Sequence, residues 1–77
     1  MINVLFFADL REAAGSEKVS VEADGLSVSE LKTKLLSSYE LNNLDHAMVA
    51  VNEEYSQDDT LLKRGDVVAF IPPVSGG

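Results

Sequence analysis

Apolar side chains fall in short blocks along the chain, and their spacing separates strands from helix. Ile2-Asn3-Val4-Leu5-Phe6-Phe7 is brief, β-branched and aromatic, which predicts a strand. Asp9-Leu10-Arg11-Glu12 has capping-box character, so a short helical turn is expected from Asp9, with Gly15 as its left-handed stop. Polar and apolar residues alternate from Glu17 to Glu22, with Val19 and Val21 on one side, as in a half-buried strand. Together these make a hairpin-like opening. Ser27-Val28-Ser29-Glu30 is a clearer helix start, with Ser27 as N-cap and Glu30 reaching back to it. Val28, Leu31 and Leu35 come next at helical spacing, while Glu30 and Lys34 sit one turn apart on the wet side. Turn formers from Tyr39 to Asn43 end that helix. Met48 to Val51 predicts a third strand, Asn52-Glu53-Glu54 a turn into a short edge around Tyr55, and Gln57-Asp58-Asp59 a loop. Leu61-Leu62 plugs a short turn, Lys63-Arg64-Gly65-Asp66 reverses the chain, and Val67 to Ile71 is the last strand.

The predicted order is β, β, α, β, short β, β. Its economical packing is an α+β arrangement of two layers, a mixed sheet with one main helix packed across one face. The strands, however, are apolar on both faces. Ile2, Val4 and Phe6 share one face of the first strand, and Leu5 and Phe7 share the other. Val68 and Phe70 likewise oppose Ala69 and Ile71 in the last strand. One helix covers one face only. With Val4, Phe6, Val68 and Phe70 in the core, Leu5, Phe7, Ala69 and Ile71 are left outside, beside Met48, Ala50 and Tyr55. Scattered exposed apolar residues are ordinary, and edges, loops or self-association can cover them. A contiguous patch next to the chain end predicts a docking surface instead.

Composition narrows the chemistry. The 77 residues suffice for one domain, and 45% are hydrophobic, enough for a core. No cysteine is present, which excludes disulfides, thiolate metal sites and a cysteine nucleophile. With 13 acids against 6 bases the net charge is −7, so phosphate backbones and anionic lipid are repelled. Neither nucleic acid nor membrane is expected as a partner. No signal-like or membrane-length apolar segment is seen, so a cytoplasmic protein is expected.

The closing residues carry the most specific chemistry. Pro72 and Pro73 end the strand and project the last four residues away from it. Residues 1–71 thus form the expected domain, and 72–77 an extended flexible tail with a reach of about 20 Å. Gly76 and Gly77 lack Cβ, so this end can thread a channel too narrow for side chains. The terminal carboxylate is a poor electrophile until converted to a species with a better leaving group, such as an acyl-adenylate. Attack by a sulfur donor then leaves a thiocarboxylate at Gly77. A chain without cysteine would gain a sulfur nucleophile on a narrow arm.

Several stretches are similar to one family. Met1-Ile2-Asn3-Val4-Leu5-Phe6-Phe7-Ala8, then Arg11-Glu12 and Gly15, resemble the opening of the small subunits of molybdopterin synthase. Val51-Asn52, Gly65-Asp66 and the block from Val68 through Phe70, Ile71, Pro72, Pro73, Val74 and Ser75 to Gly76-Gly77 resemble its later parts. The resemblance spans nearly the whole chain and is most specific at its end. It implies the ubiquitin-like β-grasp fold. It also implies that Gly77 is adenylated by an E1-like activating enzyme (an adenylyltransferase) and then carries sulfur as a thiocarboxylate. The tail (Pro72, Pro73, Val74, Ser75, Gly76) would enter a large catalytic subunit, in a heterotetramer of two large and two small subunits. There sulfur reaches precursor Z, the cyclic pyranopterin monophosphate, during molybdenum cofactor biosynthesis. No cofactor binds this chain itself, and ATP is used by the activating enzyme. The chain is then a subunit of a sulfurtransferase without a side-chain catalytic site of its own.

The partner-binding residues expected are Leu5, Phe7, Arg11, Met48, Tyr55, Ala69 and Ile71. Arg11 either meets an acid of the partner or pairs locally with Glu12 or Glu17. His46 has no second histidine or cysteine to complete a metal site. Glu53-Glu54 and Asp58-Asp59 sit in turns that favour such residues, which makes them solvated loop before acid–base pairs. Lys63-Arg64 lacks P-loop spacing. Two alternatives share the Gly-Gly end: the sulfur carrier of thiamine biosynthesis, and a ubiquitin-like modifier joined to target lysines. An RNA-binding module of the same fold is disfavoured by the charge.

Overall fold

The computed structural model describes residues 1–39, 41 and 44–72, with Asp45 by its backbone alone. Five strands form one mixed sheet: β1 (Ile2–Phe6), β2 (Lys18–Val21), β3 (Met48–Val51), β4 (Glu54–Tyr55) and β5 (Val67–Ile71). Their spatial order is β2-β1-β5-β3-β4. The first and last strands lie side by side and parallel, with Val4 opposite Val68 and Phe6 opposite Phe70. All other pairings are antiparallel.

Among the described residues two α-helices accompany the sheet, α1 (Ala8–Ala14) and α2 (Val28–Ser38). Helix α2 crosses one face and buries Val28, Leu31 and Leu35. It opens with the expected capping box: the Glu30 N–H donates to Ser27 Oγ and the Ser27 N–H to Glu30 Oε1. Under it lie Ile2, Val4, Phe6, Val49, Val51, Val68 and Phe70, all buried. Phe6 stacks on Phe70 with ring centroids 6.2 Å apart, and Tyr39 meets Phe6 edge-on at the same distance. Leu41, Leu44 and Leu62 join the same core.

The first connection departs from expectation. The N-cap position of α1 is Phe7, which makes no side-chain cap bond. Ala8 has a left-handed φ of 51°, so the chain turns out of β1 one residue before Asp9. Asp9 therefore falls within the first turn, where a carboxylate favours the positive helix end, and does not serve as a cap. Gly15 closes α1 at φ 77°, as expected. Leu10 makes this more than a turn, because it is buried in the core.

Helical spacing does not mark Lys32, yet it is the buried charge of α2. Its Nζ lies 2.9 Å from Asp58 Oδ1. The backbone around Asp58 also receives the helix start: Ser29 N–H donates to Asp58 O and Val28 N–H to Thr60 O. The 57–60 loop is thus an anchor for α2 as well as a solvated turn. Phe70 is fully buried on the strand between β1 and β3, and its ring stacks on Phe6. Phe70→Ala should therefore destabilise the fold by about 3–5 kcal/mol, read from urea unfolding. A loss below about 1 kcal/mol would show that the ring stack is not central to the core.

Candidate functional site

Among the described residues no helix covers the face opposite α2. Period-two alternation puts Leu5, Ala69, Ala50 and Tyr55 in one row across four strands, by direct pairing of Leu5 with Ala69, Ala69 with Ala50, and Ala50 with Tyr55. Two small side chains between two large ones make a depression. Its volume is about 590 Å³. Val67 and Ile71 continue the floor along β5, and Phe7 stands at one side. Tyr55 is 71% exposed and Phe7 45%. Ala50, expected outside with them, is instead buried, because larger neighbours shield its single methyl.

Met48 pairs with Ile71 at the end of this trough and is 49% exposed. Phe7 comes directly after Phe6, the partner of Phe70, and so lies beside Ile71. An apolar cluster of Phe7, Ile71 and Met48 therefore flanks the point where β5 runs into Pro72. The sites expected at Pro73, Val74, Ser75, Gly76 and Gly77 lie outside the described residues. Arg11 does not line the trough. It borders an adjoining hollow with Phe7, Glu17 and Lys18, and among the described residues it forms no ion pair with Glu12 or Glu17. His46 is exposed in a 3₁₀ turn, Leu44–His46.

Three residues of the trough escape the sequence reading: Val67, Asn52 and Glu53. Val67 is within reach of the alternation rule, two positions before Ala69. Asn52 and Glu53 depend on the shape of a turn. They are the central residues of the loop joining β3 to β4, with φ of 52° and 71°. Asn52 fastens this loop to β5. Its amide donates to Asp66 Oδ1 at 3.0 Å, its Oδ1 accepts the Val67 N–H at 3.0 Å, and its own N–H donates to Val67 O at 2.8 Å. Asp66 Oδ2 also accepts the Lys63 N–H at 2.8 Å.

The family profile of ThiS matches residues 4–77. This chain belongs to the ThiS family. The molybdopterin synthase sulfur carrier subunit of Drosophila melanogaster is 40% identical to it, over 99% of this chain and 90% of that one. The protein of the same name in Escherichia coli K12 is 38% identical, with both chains covered in full. Among solved structures, a putative molybdopterin converting factor subunit 1 from Pyrococcus furiosus superposes with a TM-score of 0.81 at 31% identity, covering 95% of this chain and 97% of its own. SAMP1 from Haloferax volcanii gives 0.77 at 31% identity, covering 99% and 98%. A third match, 0.72 at 28% identity over 99% and 97%, comes from a complex of subunits 1 and 2 of molybdopterin-converting factor from Helicobacter pylori. The sheet order and crossing helix of this ThiS-family chain are the expected ubiquitin-like β-grasp.

The loop that Asn52 fastens also gives the chain a pH signature. The Lys63 N–H, then the Asn52 amide, hold the Asp66 carboxyl below its ordinary value of 3.8. A depressed folded-state pKa contributes stability that is complete above the unfolded value and is lost as pH falls through the folded one. Asp66→Asn should therefore flatten the fall in urea midpoint below about pH 4. An unchanged acid limb in that variant would remove Asp66 from the acid response.

Proposed function

We propose that this chain is the sulfur-carrier small subunit of a molybdopterin synthase, with Gly77 as the group that carries sulfur. The observation that carries the proposal is the similarity, over 99% of this chain, to proteins named as such carriers. The placement of the trough supports it. An exposed apolar face that adjoins the start of the tail suits a partner that must hold both at once. The large subunit is that partner, as in the Helicobacter pylori complex of subunits 1 and 2.

In this proposal an E1-like adenylyltransferase joins the Gly77 carboxylate to the α-phosphate of ATP, releasing pyrophosphate. The acyl-adenylate is an electrophile where the carboxylate was not. Sulfide-level sulfur from a donor then attacks the carbonyl carbon, the acyl C–O bond to AMP breaks, and a thiocarboxylate is left. Inside the large subunit that sulfur attacks an electrophilic carbon of precursor Z as a C–O bond at that carbon breaks, and hydrolysis of the resulting thioester returns the carboxylate and leaves sulfur on the product. Two such deliveries supply the two sulfurs of the dithiolene, and the proposed assembly is a heterotetramer of two large and two small subunits. The chain needs no cofactor for this, since ATP is spent on the activating enzyme. No helix among the described residues is long and apolar enough to cross a membrane, and a cytoplasmic location belongs to the proposal.

Deleting Gly77 should abolish sulfur transfer in a reconstituted synthase while leaving the unfolding transition unchanged. Persistent product formation would exclude the terminus as carrier. Phe7→Ala and Ile71→Ala should each weaken the complex with the large subunit by about 1–3 kcal/mol in calorimetry. Unchanged affinity in both would remove the trough face from docking. A second reading, protein modification, is favoured by the likeness to SAMP1 of Haloferax volcanii. High-molecular-weight conjugates ending in Gly77 in the native host would support it; intact mass with one oxygen replaced by sulfur supports the carrier.

A further inference from the structure

Glu53 occupies a position that favours glycine. The loop between β3 and β4 has two central residues, since Val51 pairs with Glu54, and both have positive φ. Loops of this form favour Asn followed by Gly, because an ordinary Cβ is strained in the left-handed region. Asn52 satisfies the first position and uses its side chain to brace β5. Glu53 is strained at 71° and gains nothing visible in return. It is exposed, and among the described residues its carboxylate forms no hydrogen bond or ion pair. Strain without internal compensation points to a contact outside the chain.

The surroundings define that contact. Glu53 lines the trough on the wall shared with Tyr55, while Leu5 and Phe7 face it from the β1 side. The cations Arg11 and Lys18 lie beyond Leu5 and Phe7, in the adjoining hollow. Glu17 shares that hollow with them, so the far side carries both signs, while Glu53 is the acidic group on the trough wall itself. An apolar partner surface seated here strips water from Glu53, and an unpaired carboxylate in that place opposes docking. A cation at the same point reverses the sign through a charge-assisted hydrogen bond.

We propose that Glu53 is a specificity-determining contact that receives an arginine or lysine side chain from the large subunit docked in the trough. The occupant named here rests on the sulfur-carrier assignment. Glu54 supplies an internal control. It carries the same charge one residue on, but it pairs with the inward-facing Val51 and so projects from the opposite face.

The test compares wild type, Glu53→Gly, Glu53→Gln and Glu54→Gln, each titrated by calorimetry with the large subunit from the same host at low and high salt. Glu53→Gly should raise Tm by about 4 °C through relief of strain, yet weaken the complex by about tenfold or more. Glu53→Gln should weaken it comparably and flatten its salt dependence. Glu54→Gln should stay within about twofold of wild type. Wild-type affinity in both Glu53 variants would overturn the contact, and an equal loss in Glu54→Gln would overturn it in favour of general charge steering. A lowered Tm in Glu53→Gly would overturn the strain argument. No binding by the wild type would instead overturn the sulfur-carrier assignment, and the named occupant with it.

Discussion

The parallel pairing of β1 with β5 sets the rest of the structure. It joins the two ends of the described chain within the sheet, with Phe6 against Phe70 and Leu5 against Ala69. Side chains alternate strictly along a strand, so this single register fixes which apolar residues meet α2 and which face away. A slip of β1 by one residue against β5 would send Val4 and Phe6 outward, away from Phe70, and bring Leu5 beneath the helix. The stack of two phenylalanine rings against a well-capped amphipathic helix opposes that slip.

The outer face results from the same register by subtraction. Two alanines fall side by side in its centre, and larger residues stand on either flank. Burial of a second helix would have filled this space. Leaving it open sacrifices apolar burial that a domain of this size can ill spare. Under the proposed function the compensation lies in position: the trough leads to Ile71 and Pro72, so docking and delivery would share one surface.

Polar groups secure the parts that the sheet alone would leave loose. Asn52 and Asp66 tie the β3–β4 loop to the entry of β5, and Lys32 with Asp58 ties the 57–60 loop to α2. Each joins segments distant in sequence at a point where backbone pairing ends. The acidic wall of the trough depends on the first of these ties, since Asn52 sets the loop that carries Glu53.

Much of this is legible in the residues. Alternation in Ile2–Phe6 and Val67–Ile71 defines both faces of the sheet, and Ser27 with Glu30 locates the main helix, because these signals act over a few residues. The similarity of the closing block supplies the chemistry proposed for Gly77. Tertiary structure decides the rest. Nothing local shows that Ala8 turns left-handed, so Asp9 reads as a cap, and Leu10 reaches the core only because α1 folds back on β1 and β5. Lys32 meets Asp58 across 26 positions, and Asn52 meets Asp66 across 14. No local pattern encodes such contacts. They exist because the sheet, once registered, brings distant loops within hydrogen-bonding distance, and it is there that an ordinary acid such as Glu53 acquires a particular place.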